Sequence, residues 1–226
     1  MKYLPVNLDV RDQPCLVVGG GEVGERKVKG LLECGAKVGL VSRDLTPGLA
    51  ELVESKAVEL LGPEYQTEHL SGVVLVFAAT DDMALNSCVS REAQDQGVWV
   101  NVADRPELCR FIVPASFRRG DLTIAISTGG SSPAAAAKIR ARLENEFGPE
   151  YGPFLRLMGL VRTRVLAEGR PAEENRELFF KLAESDILKS LARNDLAETE
   201  GCLIEILGPD YTLASLGFKI DREDPA

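Results

Sequence analysis

The sequence predicts an α/β protein in which a Rossmann-type parallel-sheet domain precedes a small β-helix segment and a helical C-terminal domain. Three observations predict it. Apolar runs alternate with helical stretches in the first half, a glycine-rich turn follows the first apolar run, and the pattern changes near residue 111. Strands that alternate with helices indicate βαβ units, whose strands lie parallel in one sheet.

The first half contains five apolar runs of strand length. They cover residues 15–18, 38–41, 58–61, 73–79 and 98–102. The fourth run, VVLVFAA, is apolar throughout, as expected for a strand that is covered on both faces. A helical stretch at residues 23–34 lies between the first and second runs, and another at residues 83–96 lies between the fourth and fifth. Each crossover between parallel strands is expected to be right-handed.

The second half predicts a short β segment and then helices. Two β-like runs, at 111–113 and 122–127, lie on either side of an Arg119-Gly120-Asp121 turn. Helical spacing continues from residue 148 to about 194, and the polar tail from about Leu216 is expected to be poorly ordered. We therefore predict three domains, at residues 1–113, 114–147 and 148–226.

The overall charge excludes several classes of partner. The chain has 226 residues and a net charge of −9 at pH 7, so no general affinity for nucleic acid or an anionic membrane surface is expected. No apolar run reaches the roughly 18 residues of a transmembrane helix, and the N-terminus lacks the apolar core of a secretory signal.

Cysteine and histidine usage predicts a reducing compartment and no metal site. The five cysteines are scattered without a Cys-x-x-Cys pair, which is typical of reduced thiols in a cytoplasmic protein. His69 is the only histidine. One histidine and no cysteine cluster argue against a structural zinc or a multi-histidine catalytic metal.

The glycine-rich turn predicts a dinucleotide site. Gly19, Gly21 and Gly24 form a GxGxxG pattern after a strand and at the start of a helix, the context that gives this pattern its meaning. Gly19 permits a tight turn, Gly21 lets a pyrophosphate approach the backbone, and Gly24 lets the helix pack closely. The helix N-terminus offers free N–H groups to the phosphates. A purely structural glycine turn is the alternative.

The end of the second strand predicts the choice of cofactor. Asp44 lies about 20 residues beyond the glycines. An acidic residue there accepts a hydrogen bond from the ribose 2′-hydroxyl and repels a 2′-phosphate, although the preceding Arg43 would favour NADP. We predict NAD, with the alternative that both residues are exposed loop charges.

Polar residues also follow the fourth and fifth strands, where open α/β sheets bind ligands. Thr80 is a candidate cofactor contact, whereas Asp81 and Asp82 are better explained as helix caps. Asp104 follows the fifth strand and precedes Arg105-Pro106, so a helix does not have to begin directly after it and helix capping does not readily explain it. It is therefore a candidate for chemistry, with a structural turn as the alternative.

These residues belong to segments that resemble a known family. The chain resembles the siroheme synthase N-terminal module in CLVVGGGEVGERKVKGLLECGAKV, FAATDDMALN, VNVAD, FIVPA and AISTGGSSPAAAAKIRARLE. That family includes stand-alone precorrin-2 dehydrogenases and bifunctional precorrin-2 dehydrogenase/sirohydrochlorin ferrochelatases. The likeness extends from about Leu4 to Arg193 with the same order and spacing, and generic Rossmann proteins do not share these segments together.

The resemblance implies a reaction and the residues that serve it. Precorrin-2 would be oxidised to sirohydrochlorin as hydride passes to NAD, and members that also chelate would take ferrous iron as a second substrate. The family's essential aspartate falls on Asp104, which is expected to manage a proton at the tetrapyrrole. A homodimer is also implied, with the β-helix segment as its dimerisation segment. The family's NAD contacts match Glu22, Val23, Arg43 and Asp44.

Local charge predicts an anionic substrate. Seven basic residues lie from Arg105 to Arg142, and only Glu107 and Asp121 oppose them there. A tetrapyrrole with many carboxylates would suit such a positive field. The alternative for the basic residues of the helix is a solvated helix face. The alternative for the serines of the TGGSS segment is a helix cap. The candidate substrate contacts are Arg110, Ser131, Ser132 and Lys138.

Three hypotheses stay open at this point. The chain is a precorrin-2 dehydrogenase alone, a bifunctional enzyme that also inserts iron, or a non-catalytic NAD-sensing regulatory module like those of ion transporters. The third predicts a β-rich second half and a dispensable Asp104, and the helical pattern counts against it. An unrelated short dehydrogenase lacks support, because no Tyr-x-x-x-Lys pair occurs.

Overall fold

Parallel strands form a single sheet in the first half, in the order β3-β2-β1-β4-β5. The computed structural model describes residues 2–220. The order of the strands reverses between β1 and β4, so a crevice opens outside their carboxyl ends, where such sheets bind ligands. The predicted Rossmann-type fold is confirmed. The strands are β1 (Pro14–Val18), β2 (Lys37–Val41), β3 (Val58–Gly62), β4 (Leu75–Ala78) and β5 (Trp99–Val102).

Helices cover both faces of this sheet. The helix α1 (Glu22–Glu33) and the helix α2 (Pro47–Glu54) contribute Val28 and Leu49 to the core on one face. The helix α3 (Met83–Asp95) contributes Val89 and Ala93 to the core on the other face. Each fully buried aliphatic side chain contributes about 1.5–3 kcal/mol. Burial from both sides explains why the strands are apolar runs without alternation.

The chain from Pro114 onwards forms a second compact unit, separate from the unit that ends at Val113. It begins with an antiparallel hairpin of β6 (Ala115–Arg119) and β7 (Leu122–Ile126), and α4 (Pro133–Glu146) packs on this hairpin. The helical second half was predicted, and the further division near residue 147 stays a proposal. The remaining helices are α5 (Tyr151–Ala167), α6 (Ala172–Glu184), α7 (Ile187–Ala192) and α8 (Leu196–Leu207).

One predicted strand is absent from the structure, and one helix was not predicted. Residues 111–113 form no strand, because the Phe111 carbonyl accepts a hydrogen bond from Asn101 Nδ2 at 3.0 Å and the Phe111 ring packs on Phe77. The strand of the hairpin is β6, whose two arginines concealed it in the sequence. The helix α2 was missed because its Pro47-Gly48 start reads as a turn, although Thr46 caps it by accepting from Leu49 N–H at 3.3 Å.

The expectation of a poorly ordered tail from Leu216 was also wrong for the residues up to 220. Leu216 and Phe218 are buried in the core of the second unit, together with Tyr211 and Leu213. These apolar side chains are widely spaced among polar ones, so they do not form a recognisable helical or strand pattern. The rest of that expectation concerns residues 221–226, which lie outside the described residues. None of the helices in the described part of the chain has the length and apolar character needed to span a membrane.

Candidate functional site

At Gly19 and Gly24, the turn from β1 to α1 is so tight that only glycine fits. Gly19 has a φ of +119°, and a Cβ there would lie 2.2 Å from the carbonyl oxygen of Ala79, just after β4. A Cβ on Gly24 would lie 2.0 Å from the carbonyl oxygen of Gly19. Gly19 and Gly24 therefore have the local geometry that the GxGxxG pattern predicts.

Gly21 differs from both, because the space beside it is open. A Cβ at Gly21 would meet no atom within 4 Å, although the residue is the N-cap of α1. No side chain caps the first turn of this helix, which contains the exposed Glu22 and the half-buried Val23. Open space beside uncapped N–H groups fits the pyrophosphate of a dinucleotide.

The loop after β2 is held against the glycine turn by its backbone. A Cβ on Gly20 would lie 2.2 Å from the carbonyl oxygen of Asp44. Ser42 Oγ donates to the same carbonyl at 2.8 Å, and the Thr46 N–H donates to the Gly20 carbonyl at 3.1 Å. Asp44 thus lies beside the glycine turn with an exposed side chain, as a contact to the adenosine ribose requires.

A second link between this loop and α1 passes through Glu25. The Thr46 hydroxyl donates to the Glu25 carboxylate, and Lys29 Nζ donates to it at 2.5 Å. The hydrogen bond from Lys29, and then the one from Thr46, lower the pKa of the Glu25 carboxyl below its ordinary value. The charged carboxylate therefore joins α1 to the start of α2.

Arg43 is already paired within the chain. Its guanidinium lies 2.5 Å from a carboxylate oxygen of Glu64, and both side chains are about 70% exposed. A 2′-phosphate would have to compete with this carboxylate for Arg43, although an exposed pair contributes only about 0–1 kcal/mol. The pairing therefore favours NAD over NADP, in the same direction as Asp44.

Thr80 follows β4 and is fixed by a buried residue of α3. Asn86 is 1% exposed. Its side-chain amide forms hydrogen bonds with the backbone and the hydroxyl of Thr80. Asp82 caps α3 by accepting from the N–H groups of Ala84 at 2.8 Å and Leu85 at 3.1 Å. The capping role expected for Asp82 is thus observed, and Thr80 lies at the crevice beside Gly19.

Asp104 has an unusual backbone conformation at the carboxyl end of β5. It is exposed, with a φ of +58°, in the left-handed region that non-glycine residues seldom adopt. Cys109 closes the loop that carries it. Cys109 Sγ accepts from the Val102 N–H at 3.1 Å and donates to the Arg105 carbonyl at 3.1 Å. The loop therefore presents the Asp104 carboxylate to solvent from a fixed turn.

The structure does not bring Arg110 together with Asp104. The Arg110 N–H donates to the Val100 carbonyl at 2.9 Å. Its exposed side chain lines a cavity of about 300 Å³ with Gly97, Val98 and Trp99, at the amino end of β5. The Asp104 carboxylate lies at the other end of this strand, so the two side chains do not share this cavity.

The other predicted substrate contacts lie in the second unit, at the start of α4. Ser132 accepts from the Ala135 N–H at 3.2 Å and so caps the helix. Thr128 Oγ1 accepts from the Ser132 N–H at 3.1 Å, which closes the TGGSS segment into a compact loop. Ser131 at this loop and Lys138 on α4 are exposed. The loop leaves these two side chains accessible to a ligand, and the hydroxyl of Ser132 is used as a cap.

Comparison with known proteins matches two parts of the chain to family models. Residues 6–115 match a family model described as putative NAD(P)-binding, and residues 119–146 match the model of the sirohaem biosynthesis protein central domain. A solved structure of SirC, precorrin-2 dehydrogenase, superposes with a TM-score of 0.72 at 26% identity, and covers 88% of this chain and 100% of that one.

Curated relatives give the same result. The chain is 46% identical over 152 residues to the siroheme synthase of Methylobacillus flagellatus, covering 67% of this chain and 32% of that protein. It is 39% identical to siroheme synthase 1 of Aeromonas salmonicida, covering 87% and 42%, and 38% identical to the siroheme synthase of Stutzerimonas stutzeri, covering 92% and 44%. The chain thus spans less than half the length of these relatives.

The chain belongs to the siroheme synthase N-terminal module family. Its first unit is the NAD(P)-binding domain of that module, and the geometry of the glycine turn fits the dinucleotide independently. The cofactor predicted from the sequence, NAD, is therefore confirmed. The residues around Gly21 would hold the pyrophosphate of the bound dinucleotide.

The charged and thiol groups of this module are dispersed. Among residues 2–220, no group of three or more His, Cys, Asp or Glu side chains is arranged to hold a metal ion. Burial raises the pKa of the Cys109 thiol above its ordinary value, so Cys109 stays protonated and can donate within the Asp104 loop.

Sequence reasoning missed several residues that build the site. Gly20 was read as a variable position of the pattern, yet the Asp44 carbonyl leaves room only for glycine there. Asn86 and Cys109 were not singled out, because a single polar side chain in an amphipathic helix or loop has no distinctive spacing. An asparagine one helical turn after the capping Asp82 was the available signal for Asn86.

Proposed function

We propose that the chain is a precorrin-2 dehydrogenase, which oxidises precorrin-2 to sirohydrochlorin with NAD in siroheme biosynthesis. The observation that carries the proposal is the position of Asp104, an exposed carboxylate in a fixed left-handed turn at the carboxyl end of β5. It lies at the same edge of the sheet as the glycine turn and Thr80. Similarity over the whole length of the solved SirC, precorrin-2 dehydrogenase, supports the assignment.

The chemistry needs a hydride acceptor and a proton acceptor. Precorrin-2 loses a hydride to NAD and a proton to a base, so sirohydrochlorin, NADH and a proton are the products. Asp104 is the proposed base, because its carboxylate is exposed at the ligand edge of the sheet and a positioned carboxylate can accept a proton as the hydride leaves. Protonated Asp104 then returns its proton to water.

Different residues along the crevice are proposed to contact different parts of the dinucleotide. Gly19, Gly21 and Gly24, with Glu22 and Val23, are proposed at the pyrophosphate, and Asp44 with Arg43 at the adenosine ribose. Thr80 is proposed at the nicotinamide half, because it follows β4, beyond the reversal in strand order. Holding both halves fixes the nicotinamide relative to Asp104, which supplies orientation.

The substrate contacts are proposed for carboxylate recognition. Ser131 precedes the N-cap of α4 and Lys138 lies on its second turn. Both are exposed near the helix N-terminus, whose N–H groups favour anions. Ser132 belongs to the same loop, although its hydroxyl caps the helix. Arg110 stays a prediction from sequence that its cavity does not support.

Ferrous iron is the proposed second substrate. The three curated relatives are named siroheme synthases, and siroheme is the iron complex of sirohydrochlorin. Metal insertion requires removal of two pyrrole protons, and Asp104 is the exposed carboxylate proposed for that transfer as well.

A homodimer and a cytoplasmic location complete the proposal. The dimer is assigned to α4 and the β6–β7 hairpin, because Ala136 is the one residue that α4 buries within the described chain and Ile139 on this helix is 44% exposed. Cys15, Cys88, Cys109 and Cys202 are thiols, which a reducing compartment preserves.

The test is anaerobic incubation of the purified protein with precorrin-2 and NAD, followed by absorbance spectroscopy. NAD-dependent formation of sirohydrochlorin, absent without NAD, is the expected result. Ferrous or cobaltous ion is then added, and insertion above the spontaneous rate in protein-free controls is expected. Bound NAD without any oxidation of precorrin-2 would instead favour an NAD-sensing module, although its predicted β-rich second half does not match the helices α4 to α8.

A further inference from the structure

The loop after β5 leaves the strand and then returns beside it. At the start of the loop, the Ala103 N–H donates to the Ala78 carbonyl at 2.9 Å, and at its end the Arg110 N–H donates to the Val100 carbonyl at 2.9 Å. Between these two anchors, Asp104 adopts its φ of +58°. A non-glycine residue persists in this left-handed region only where the surrounding structure holds it. Contacts on both sides of Asp104 are therefore expected within the loop.

The thiol of Cys109 makes such contacts. Its Sγ accepts a hydrogen bond from the Val102 N–H at 3.1 Å, two residues before Asp104. The single proton of the thiol is donated to the Arg105 carbonyl at 3.1 Å, directly after Asp104, with the Val102 carbonyl at 3.3 Å as the second acceptor. One side chain thus joins the backbone before Asp104 to the backbone after it, across the turn.

Buried polar groups hold the end of the loop and the thiol in place. Asn101 of β5 is 9% exposed, and its Nδ2 donates to the Phe111 carbonyl at 3.0 Å and to Cys109 Sγ at 3.6 Å. Ser90 of α3 is 1% exposed, and its Oγ donates at 2.7 Å to the carbonyl of Leu108, the residue before Cys109. The position of Cys109 is therefore fixed from both β5 and α3.

The effect of Cys109 on Asp104 is geometric, because its thiol is neutral. Burial raises the pKa of the Cys109 thiol above its ordinary value, so the thiol keeps the proton that it donates. A serine hydroxyl likewise donates one proton and accepts hydrogen bonds, whereas an alanine side chain does neither. Cys109→Ser can therefore keep the link across the turn, and Cys109→Ala cannot.

We propose that Cys109 is a positioning residue of the dehydrogenase site, whose thiol holds the backbone on both sides of Asp104 and so fixes the direction of its carboxylate. The inference rests on the proposed function for the role of Asp104, and the hydrogen bonds of the loop can be measured without turnover. Loss of the thiol should lower the rate of oxidation and leave NAD binding intact, because its contacts lie in the loop after β5 and not at the glycine turn.

The first experiment measures the link directly, by NMR-detected hydrogen exchange of ¹⁵N-labelled protein. The Val102 amide should exchange about two- to tenfold faster in Cys109→Ala, the range for loss of one hydrogen bond, and Cys109→Ser should restore most of the protection. If the cavity in Cys109→Ala prevents folding, Cys109→Val removes the same donor while filling the volume. Unchanged exchange of Val102 in the folded variant without the donor would overturn the proposal.

The chain offers a matched control in Cys15, a second buried thiol of the same unit. It lies in β1 and is 2% exposed. Cys15→Ala removes a thiol from the core without touching the loop after β5. It should lower stability while the exchange of Val102 and the rate of oxidation stay as in the wild-type protein. If Cys15→Ala loses as much of both as Cys109→Ala, the effect is general destabilisation and the proposal fails.

The second experiment is a double-mutant cycle that separates positioning from structure. In single-turnover oxidation of precorrin-2 at saturating NAD, Cys109→Ala should be slower by up to about 10²-fold, with the NAD dissociation constant within twofold, and Cys109→Ser should recover most of the rate. In the Asp104→Asn background, Cys109→Ala should cause little further loss, because no carboxylate is left to position.

Two kinetic results would overturn the proposal: an unchanged rate in folded Cys109→Ala, or an equal loss in both backgrounds, which would mean that Cys109 does not act through Asp104. If the wild-type protein does not oxidise precorrin-2 at all, the proposed function fails. The exchange of the Val102 amide then still decides whether the thiol holds this loop.

Discussion

Asn86 and Thr80 are joined by three hydrogen bonds across the crevice edge of the sheet. Asn86 Nδ2 donates to the Thr80 carbonyl at 2.8 Å, and Asn86 Oδ1 accepts from the Thr80 hydroxyl at 2.8 Å and from its N–H at 3.3 Å. Because the amide is buried, α3 fixes the segment that follows β4. This segment contacts Gly19, so the geometry of the glycine turn depends on a residue more than sixty positions along the chain.

Asn86→Ala is expected to lower the free energy of unfolding by about 2–4 kcal/mol, because it leaves polar groups of Thr80 unpaired beside a cavity. It should also weaken NAD binding through displacement of Thr80. Urea denaturation and calorimetric titration with NAD check both effects. Thr80→Val is the matched variant, since it keeps the backbone bonds to Asn86, and it should lose less stability than Asn86→Ala.

Gly21→Asp is expected to fold normally and to lose NAD binding. The space beside Gly21 is open, so the side chain is accommodated, but its carboxylate then lies where the pyrophosphate would bind. Calorimetric titration with NAD and thermal denaturation measure the two properties separately. Gly24→Ala is the contrasting variant, because its methyl group would clash with Gly19 and cost stability, by about 1–3 kcal/mol or more. Unchanged NAD affinity in folded Gly21→Asp would remove the dinucleotide site from this turn.

Asp104→Asn is expected to lose turnover by about 10²–10⁴-fold while NAD affinity stays unchanged. Asparagine tolerates a positive φ nearly as well as aspartate, so the loop keeps its conformation and only the carboxylate is removed. The measurement is single-turnover oxidation of precorrin-2 with saturating NAD. Asp104→Ala adds backbone strain and should lose some stability as well. Near-normal turnover in Asp104→Asn would assign the proton transfer to another group.

Asp44→Ala is expected to reduce the preference for NAD over NADP. Loss of a hydrogen bond from a ribose hydroxyl to a charged carboxylate corresponds to about 1.5–3 kcal/mol. The measurement is the dissociation constant for each cofactor. Combination with Glu64→Gln releases Arg43 from its exposed ion pair, so NADP affinity should rise further in the double variant. Equal discrimination by Asp44→Ala and the wild-type protein would rule out Asp44 as the ribose contact.

Alkaline pH is expected to destabilise the first unit through Cys15. Burial, with a smaller contribution from Cys34, raises the pKa of the Cys15 thiol to about 11, above the ordinary value that it regains on unfolding. The folded state therefore holds this proton more tightly, and its contribution to stability is present below about pH 9 and lost as pH rises towards 11, by up to about 2–3 kcal/mol. Thermal denaturation between pH 8 and 11 should show a smaller decline in Cys15→Ala. Identical declines in both proteins would contradict the assignment.

The order of strands and helices in the first unit could be predicted because burial on both faces leaves uninterrupted apolar runs. Val76 and Val100 are fully buried and lie in such runs. The start of α4 was equally clear, because Ser132 and Pro133 are a capping residue and a first-turn residue in their usual order. By contrast, α2 begins with Pro47-Gly48, and its cap Thr46 gave no stronger signal than any loop threonine.

The geometry of the glycine turn could be predicted because single residues carry its signal, whereas hydrogen-bonded pairs could not be recognised. Backbone sterics restrict Gly19 and Gly24 to glycine, and Asp44 stays a prediction from its place after the second strand. The partners Asn86 and Cys109 act through hydrogen bonds to segments that are distant in the sequence, and a single sequence contains no information on which residues meet. Arg110 was predicted from the density of basic residues in its segment. The chain turns back after β5, so Arg110 lies at the amino end of that strand and Asp104 at its carboxyl end.

The contact between Gly20 and Asp44 determines which of these two positions can be substituted. The close approach involves the carbonyl oxygen of Asp44 and leaves its side chain exposed. Any residue at position 44 presents the same carbonyl, so libraries that alter coenzyme preference can vary this side chain freely. Position 20 tolerates no such variation, because a side chain there would displace the loop that follows β2 before any selectivity could be measured.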